Sequence, residues 1–550
     1  MIEIIKKKPI IWSISGSDCS GGAGIAADIK TAHGLGVEIC TLITANTVQN
    51  STQLIAINPV SVDILQQQVS ALIHDKPPSI IKVGLLVELA QVDWLTATLQ
   101  HIKTTTPQLI VVYDPIGQAS VGGNFNQLSL SNLTPLLKQV DVITPNINEA
   151  FFLASLASNT LMPNQLITNE FGLTKKPDPF NAQKVAEKIY QDFAIKSIII
   201  KGGHSTNNDN ECIDYCYHQL NQIKQDNQEK EHHVIVYKLS SPRLTNHYTH
   251  GGGCSFASAL TACLAKGYLI RDAFTLAKAF INQGLMATQE ISAQENHQYY
   301  GPFEQLTWPL QPASSISIAD HFPIVADEIN QQYQDLPAFE ALDLAGEKLG
   351  LYPVIDSIEW LRRLLPLGLN IIQLRLKDLA KEKLEQVIME AVNLAKNYKT
   401  RLFINDYWEL AIKFGAYGVH IGQEDLHEAD LASIHRAGLR LGISTHGCYE
   451  FLLAQQLQPS YLAIGAIFPT KTKDMTGQIQ GVDNLNQLLA LRSRTNTSPI
   501  PIVAIGGINF ERAPNVLATT VDSIAVVTAI TKANNPEQAV LALTDLIKTY

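Results

Sequence analysis

NIIQLR, at Asn370–Arg375, reads as a short buried β-strand that carries polar side chains at its far end. It is one of a series of such runs after Leu351. The series is YPVID from Tyr352, NIIQLR, RLFIN from Arg401, YGVH from Tyr417, LGIS from Leu441, YLAIG from Tyr461, PIVAIGG from Pro501 and SIAVV from Ser523. A helical stretch separates each run from the next. Eight strands in about 200 residues, each followed by a helix, specify a compact (β/α)8 barrel rather than an open sheet. Every polar motif of this half falls at the C-terminal end of one of these runs, where barrels keep their chemistry.

Upstream the rhythm is looser. IIWSIS (Ile10–Ser15), IIKVG from Ile80, LIVVYD from Leu109, DVITP from Asp141 and SIIIK from Ser197 read as buried strands separated by helices. That alternation predicts a mostly parallel sheet covered on both faces. ECIDYCY and HVIVYKL predict a late hairpin around the polar loop NQIKQDNQEKEHH. Helices are expected at Ala23–Gly36, Gly253–Gly267 and Arg271 to about Glu290. The periodicity fades between Ile291 and Pro312, as a domain boundary should. The expected division is a first domain over 1–311, a linker or barrel-capping segment over 312–345, and a barrel over 346–550.

With 550 residues, two or three domains are expected, and 46% hydrophobic against 17% charged residues is a globular composition. The net charge is −10 and the 41 basic residues are scattered, which argues against nucleic acid as a partner. Seven cysteines without a paired framework fit a reducing compartment. The lysines at Lys6–Lys8 and the short run Ile10–Ile14 make neither a signal peptide nor a membrane span. A cytoplasmic protein without membrane contact is expected, with homo-oligomerisation left open.

In the first half, SGSDCSGGAG (Ser15–Gly24) and THGGGCS (Thr249–Ser255) both open helices. Their glycines allow close backbone approach, and consecutive N–H groups from Gly251 to Cys254 could form an anion hole. Lys201, at the end of SIIIK, could reach ATP phosphates or could be an exposed strand-end lysine. Glu149 in TPNINEA (Thr144–Ala150) could help hold Mg2+ or simply be a solvated helix-start acid. His204 and His250 read as loop hydrogen-bonders and Cys19 as a small packing residue.

Together and in this order, these motifs resemble hydroxymethylpyrimidine/phosphomethylpyrimidine kinase, a ribokinase-like family, over about residues 9–290. The resemblance implies phosphorylation of 4-amino-5-hydroxymethyl-2-methylpyrimidine and then of its monophosphate, with MgATP. It implies that Gly16, Asp28 and Gln49 contact the pyrimidine, that Asn146, Glu149, Lys201, Gly251 and Gly253 serve ATP, and that Asp114 assists the metal. Lys201 and Cys254 are the implied catalytic groups. Cys254 stands where many relatives keep an aspartate. The family's GTGC is GGGC here, so Gly252 lacks a threonine hydroxyl, and its SGSDSS is SGSDCS.

In the second half, Gln373, Arg375 and Lys377 alternate, which predicts one face able to grip a diphosphate. Asp406 and Asp425 end successive strands and could share a hard cation such as Mg2+. Thr470, Thr472 and Lys473 add donors on a loop, with Lys473 as a catalytic candidate. AIGGI after the seventh strand and Val527-Thr528 after the eighth match the usual barrel phosphate site. The set resembles thiamine-phosphate synthase over about residues 350–545. That resemblance implies that Arg375, Lys377, Asn405, Thr472 and Lys473 bind a diphosphate and that Asp406 and Asp425 hold Mg2+. It places Ser444 near the pyrimidine, and Gly507, Val527 and Thr528 at a thiazole phosphate. Departures are Leu376 for Glu, PVID for LVTD near Asp356, and Thr528 for Ser.

The resulting expectation is a bifunctional thiamine-biosynthesis enzyme whose ligands are the aminopyrimidine, its phosphates, thiazole phosphate, ATP and Mg2+. Two rivals are a pyridoxal-type kinase fused to a thiazole tautomerase-like barrel, and a ligand sensor that binds without turnover.

Overall fold

The computed structural model describes residues 8–50, 53–115, 128–155, 179–203, 210–222, 231–244, 250–294, 304–305, 307–309, 317–344, 346, 348–377, 379–470, 479–492 and 499–550. The chain forms two compact units, Met1–Val325 and Ala326–Tyr550.

The first unit is built on a sheet of β1 (Ile10–Asp18), β2 (Glu38–Gln49), β3 (Leu54–Pro59), β4 (Ile80–Val83), β5 (Ile110–Tyr113), β6 (Val142–Ile143), β7 (Ser197–Ile200), β8 (Glu211–Gln222), β9 (Glu231–Pro242) and β10 (Ile324–Ala326). Its spatial order is β10-β9-β8-β7-β6-β5-β4-β1-β2-β3. The centre, from β2 through β1 and β4 to β7, is parallel. Strands β3, β8 and β9 run antiparallel to their neighbours. The hairpin is as expected, though its strands reach further toward the turn than the polar sequence suggested; residues 223–230 lie outside the described residues. Strands β2 and β3 were not anticipated, because TLITANTVQ mixes threonines and asparagine into its apolar run and hides the period.

Alternate residues of the central strands serve opposite faces. Ile10, Trp12 and Ile14 join one apolar core with Leu65, Val69, Val92, Leu95, Leu99, Leu136 and Ile189 from the helices of that face. The other face of β1 presents Ser13 to Asp28 of helix Gly24–Gly34, and helix Gly252–Ala265 packs beside it through Ser258. The result is a three-layer arrangement of helices on both faces of a mostly parallel sheet.

The second unit is a closed barrel of β11 (Gly350–Ile355), β12 (Ile371–Leu374), β13 (Arg401–Asn405), β14 (Gly418–Ile421), β15 (Arg440–Thr445), β16 (Tyr461–Ile464), β17 (Ile502–Ile505) and β18 (Ser523–Val526). All neighbours are parallel, and β18 closes on β11. Tyr352, Phe403 and Tyr461 fill the interior with edge-on rings 5.1–6.5 Å apart. Gly442 makes room for them: a Cβ there would lie 2.2 Å from the Tyr461 ring.

The stretch expected as linker or cap divides between the units. Asn282 Nδ2 donates to His321 O at 2.9 Å, and Phe322 packs on Trp308, so this part belongs with the sheet. Leu342 and Leu349 enter the barrel core, while Ser460 Oγ donates to Glu340 O at 2.6 Å.

Candidate functional sites

In the sheet unit, polar side chains gather at the C-terminal ends of the parallel strands. Lys201 follows β7 and its Nζ lies 2.9 Å from Asp114 Oδ1 after β5; Thr144 Oγ1 donates to the same oxygen at 2.9 Å. Burial alone would raise the Asp114 carboxyl, but Lys201 and Lys82 hold it below the usual range. Burial would likewise lower Lys201, and the charges of Asp114 and Glu149 raise it instead. Lys201 is thus a largely buried, paired ammonium, not an exposed strand-end lysine. A Cβ on Gly253 would lie 3.5 Å from Lys201 Nζ and 3.7 Å from Asp114 Oδ2, so the start of helix Gly252–Ala265 faces this pair.

Asn146 and Glu149 cap one another. Asn146 N–H donates to Glu149 Oε2 at 2.8 Å, and Glu149 N–H donates to Asn146 Oδ1 at 3.0 Å. This reciprocal box begins helix Ile147–Ser155. Glu149 therefore fills the helix-start role and also lies within the field of Lys201.

Asp28, expected at the pyrimidine, is fully buried and makes four hydrogen bonds within the protein. It accepts from Ser13 Oγ at 2.5 Å, Ser258 Oγ at 2.6 Å and Lys82 Nζ at 2.9 and 3.1 Å. The physical reason is Lys82, a lysine in the middle of an apolar strand, which requires a buried anion. Lys82 is the one charged residue of the run IIKVG. A charge inside a strand that is otherwise all apolar was the available signal. Gly16 packs under Leu85, and Gln49 is buried at the end of β2, where its Oε1 has no partner among the described residues.

Burial pushes the Cys254 thiol up to about 11, against the lowering effects of Lys82 and of the Gly24 N–H. It is a neutral thiol at the helix start. His250 makes the loop hydrogen bond expected of it, to Asp18 at 2.9 Å; His204 lies outside the described residues. Cys19 Sγ donates to Gln49 O at 3.0 Å, and the residue is exposed rather than packed.

At the barrel mouth, Asp406 and Asp425 come together. Asp406 takes a left-handed backbone (φ 65°), which costs a non-glycine residue roughly 1 kcal/mol, and its N–H donates to His420 O at 2.9 Å. Burial and the facing Asp425 raise the Asp406 carboxyl to about 6, while Arg375 and the Gly422 N–H oppose the rise. Asn405, expected at the diphosphate, donates its side-chain amide to Asp406. Among the described residues no group of three or more His, Cys, Asp or Glu is arranged to hold a metal.

Strand β12 ends at Leu374 and its ladder runs on only to Arg375, so Lys377 lies beyond the strand. Gln373 is buried inside the barrel with its amide 3.4 Å from Tyr352 Oη, Arg375 N–H continues the ladder to Ile355 O at 2.8 Å, and Lys377 is exposed. Ser444 Oγ meets His420 Nε2 at 2.8 Å, and Ser444 O accepts from Gln423 Nε2 at 2.7 Å. His420 Nδ1 meets Tyr461 Oη at 2.7 Å, and Tyr461 meets Tyr352 at 2.7 Å. Burial, then the charges of Arg375 and His446, lowers His420 to about 3, so it is neutral. This His–Tyr–Tyr chain was missed because His420, Tyr461 and Tyr352 stand on separate strands.

Gly507 (φ 63°) abuts Pro469 O, which a Cβ would approach to 2.7 Å. Val527 precedes the one-turn helix Thr528–Thr531, and Thr470 is half-buried. Thr472 and Lys473 lie outside the described residues.

The family model for phosphomethylpyrimidine kinase matches residues 18–300, and that for thiamine monophosphate synthase matches 351–530. The thiamine-phosphate synthase of Yersinia pestis (strain Pestoides F) is 54% identical over 202 residues, 37% of this chain and 92% of that protein. Among solved structures, pyridoxal kinase from Staphylococcus aureus with pyridoxal is 23% identical, with a TM-score of 0.41, over 55% of this chain and 95% of that one. Phosphomethylpyrimidine kinase from Clostridium difficile 630 is 26% identical, with a TM-score of 0.34, over 50% and 98%. The chain thus belongs to the phosphomethylpyrimidine kinase family in its first half and to the thiamine-phosphate synthase family in its second. It is a bifunctional enzyme of thiamine biosynthesis, a kinase joined to a synthase.

Proposed function

We propose that the two units act in series on one aminopyrimidine. The first phosphorylates 4-amino-5-hydroxymethyl-2-methylpyrimidine and then its monophosphate, taking the phosphoryl groups from ATP. The second joins the diphosphate to thiazole phosphate and releases pyrophosphate. The observation that carries the reading is a contrast in donors: a glycine-lined helix start faces Lys201 in one unit, and Arg375 stands with two facing carboxylates in the other.

In the kinase unit, the N–H groups of Gly251–Cys254 and the Lys201 ammonium line the place where phosphoryl charge develops. Asp114, itself fixed by the Thr144 hydroxyl, holds Lys201 in line. Cys254, as a neutral thiol, completes this hole as a donor and does not act as a thiolate base. Asn146 and Glu149 border the nucleotide side.

In the barrel, Asp406 and Asp425 fit Mg2+: they are two hard oxygen donors set face to face, and burial and the facing Asp425 raise Asp406. When bound, the ion supplies charge neutralisation for the departing diphosphate. Arg375, Lys377, Thr472 and Lys473 grip the diphosphate oxygens. Gly507, Val527 and Thr528 offer backbone N–H groups and a hydroxyl to the thiazole phosphate. Ser444, held by His420, lies at the pyrimidine. The amino group of the pyrimidine supports positive charge at its methylene as the C–O bond to pyrophosphate breaks, and the thiazole nitrogen then attacks. Seven free cysteines accord with a cytoplasmic setting.

Incubation with hydroxymethylpyrimidine, thiazole phosphate and MgATP should yield thiamine phosphate. Supplying the pyrimidine diphosphate should remove the need for ATP. Absence of product with both the full mixture and the supplied diphosphate would overturn the reading.

A further inference from the structure

The two glycine-rich loops of the kinase unit lie far apart in sequence and are joined by three contacts. His250 Nε2 meets Asp18 Oδ2 at 2.9 Å, and both side chains are buried. Gly251 (φ +82°) lies directly against Gly22, whose carbonyl oxygen would be 1.8 Å from a Cβ at 251. The Gly24 N–H donates to the Cys254 thiol. The second is backbone against backbone, and the third needs the Cys254 side chain. The first is a side-chain choice.

Asp18 is the hub of the first loop. Its Oδ1 accepts from Ser20 N–H and Ser20 Oγ, each at 2.8 Å, while its Oδ2 accepts from Gly22 N–H at 3.1 Å and Ala23 N–H at 2.8 Å. An ionised carboxylate only accepts, so His250 carries its hydrogen on Nε2. Burial would raise Asp18, but the bonds from His250, Ser20 and Gln49 hold it well below the usual carboxylate range. Gln49 Oε1 and His250 Nδ1, both buried, have no partner among the described residues. The hub thus touches the pyrimidine side through Gln49 and the phosphoryl side through His250.

We propose that His250 is a positioning residue that couples pyrimidine binding at residues 16–24 and Gln49 to assembly of the N–H row at Gly251–Cys254. The inference rests on the kinase reading above. Ordering either loop pre-orders the other through the Asp18–His250 bond, so the pyrimidine and the nucleotide each strengthen binding of the other by the same factor.

The test uses the full chain and titrates hydroxymethylpyrimidine with and without a non-hydrolysable ATP analogue. The ratio of the two Kd values is the coupling. His250→Gln keeps a donor where Nε2 stands. His250→Asn places its donor at the Nδ1 position, out of reach of Asp18. The wild type should show coupling of about 5-fold or more. His250→Asn should show almost none, and His250→Gln should recover most of it. Purely structural damage would not sort the two amides in this way. Synthase turnover on supplied diphosphate should be unchanged in both. The proposal is overturned if His250→Asn keeps wild-type coupling, if both variants lose it equally, or if the wild type has none. A wild type that binds no pyrimidine would instead sink the kinase reading on which the proposal depends.

Discussion

Around the kinase unit, three buried anions each have their own cation. Asp28 pairs with Lys82 at 2.9 Å, Asp114 with Lys201 at 2.9 Å, and Asp214 with Lys278 at 2.8 Å. At the barrel mouth the opposite holds: Asp406 faces Asp425, with Arg375, the Gly422 N–H and the Asn405 amide set against the repulsion. The first arrangement is complete in the protein alone, and its geometry is set before any ligand arrives. The second carries an internal repulsion that an external cation would relieve. Buried ion pairs therefore serve as architecture in one unit, and a facing pair of like charges stands at the mouth of the other.

The sharpest way to break this contrast is to remove one partner of a complete pair. Lys82→Met should leave Asp28 buried without a cation and destabilise the first unit by roughly 3–5 kcal/mol. Thermal melting would register it as a lowered first transition with synthase activity retained. An unchanged melt would mean that Asp28 takes up a proton easily and that the pair is not architectural.

Cys254→Ala should lower pyrimidine phosphorylation by about 10²-fold through loss of a donor at the hole. Because the thiol is raised to about 11, it stays protonated across neutral pH. Alkylation by iodoacetamide should therefore rise about tenfold per pH unit up to that range, with exposed Cys19 labelled first; peptide mass spectrometry reads both sites. Rapid labelling of Cys254 at pH 7 would point to a thiolate and restore the base as a role.

Asp425→Asn removes the repulsion in the barrel. The Mg2+ concentration needed for half-maximal synthesis should rise by about tenfold or more, and kinase turnover should not change. A superimposable Mg2+ titration would show that the carboxylate pair is not the receptor.

The smallest effect concerns Gly252, where a Cβ would meet nothing within 4 Å. Gly252→Thr should fit without strain and stabilise the first unit by about 0.4–1 kcal/mol through the unfolded chain. A measured loss of stability would show that the open glycine is required by the helix start.

The barrel strands were legible because each is a short apolar run bounded by helices, and all eight fall where the pattern put them. The central strands β1 and β4–β7 were legible for the same reason. Strands β2 and β3 were not, since their apolar residues alternate irregularly with threonine and asparagine. The capping role of Glu149 and the hydrogen bonding of His250 follow from local chemistry and were readable. The pairing of Asp28 with Lys82 was not, because the two lie 54 positions apart in the chain.

Sequence alone determined the order of the elements, the two sets of phosphate-handling motifs and the family of each half. These depend on local periodicity and on residue types at fixed spacing. Only the tertiary structure decided which charges neutralise each other. It paired Lys82 with Asp28 and Lys201 with Asp114, set Asp406 against Asp425, and joined His420, Tyr461 and Tyr352 across the barrel. Electrostatic partners are fixed by distance and burial, and residues remote in the chain acquire those only when the sheet and the barrel close.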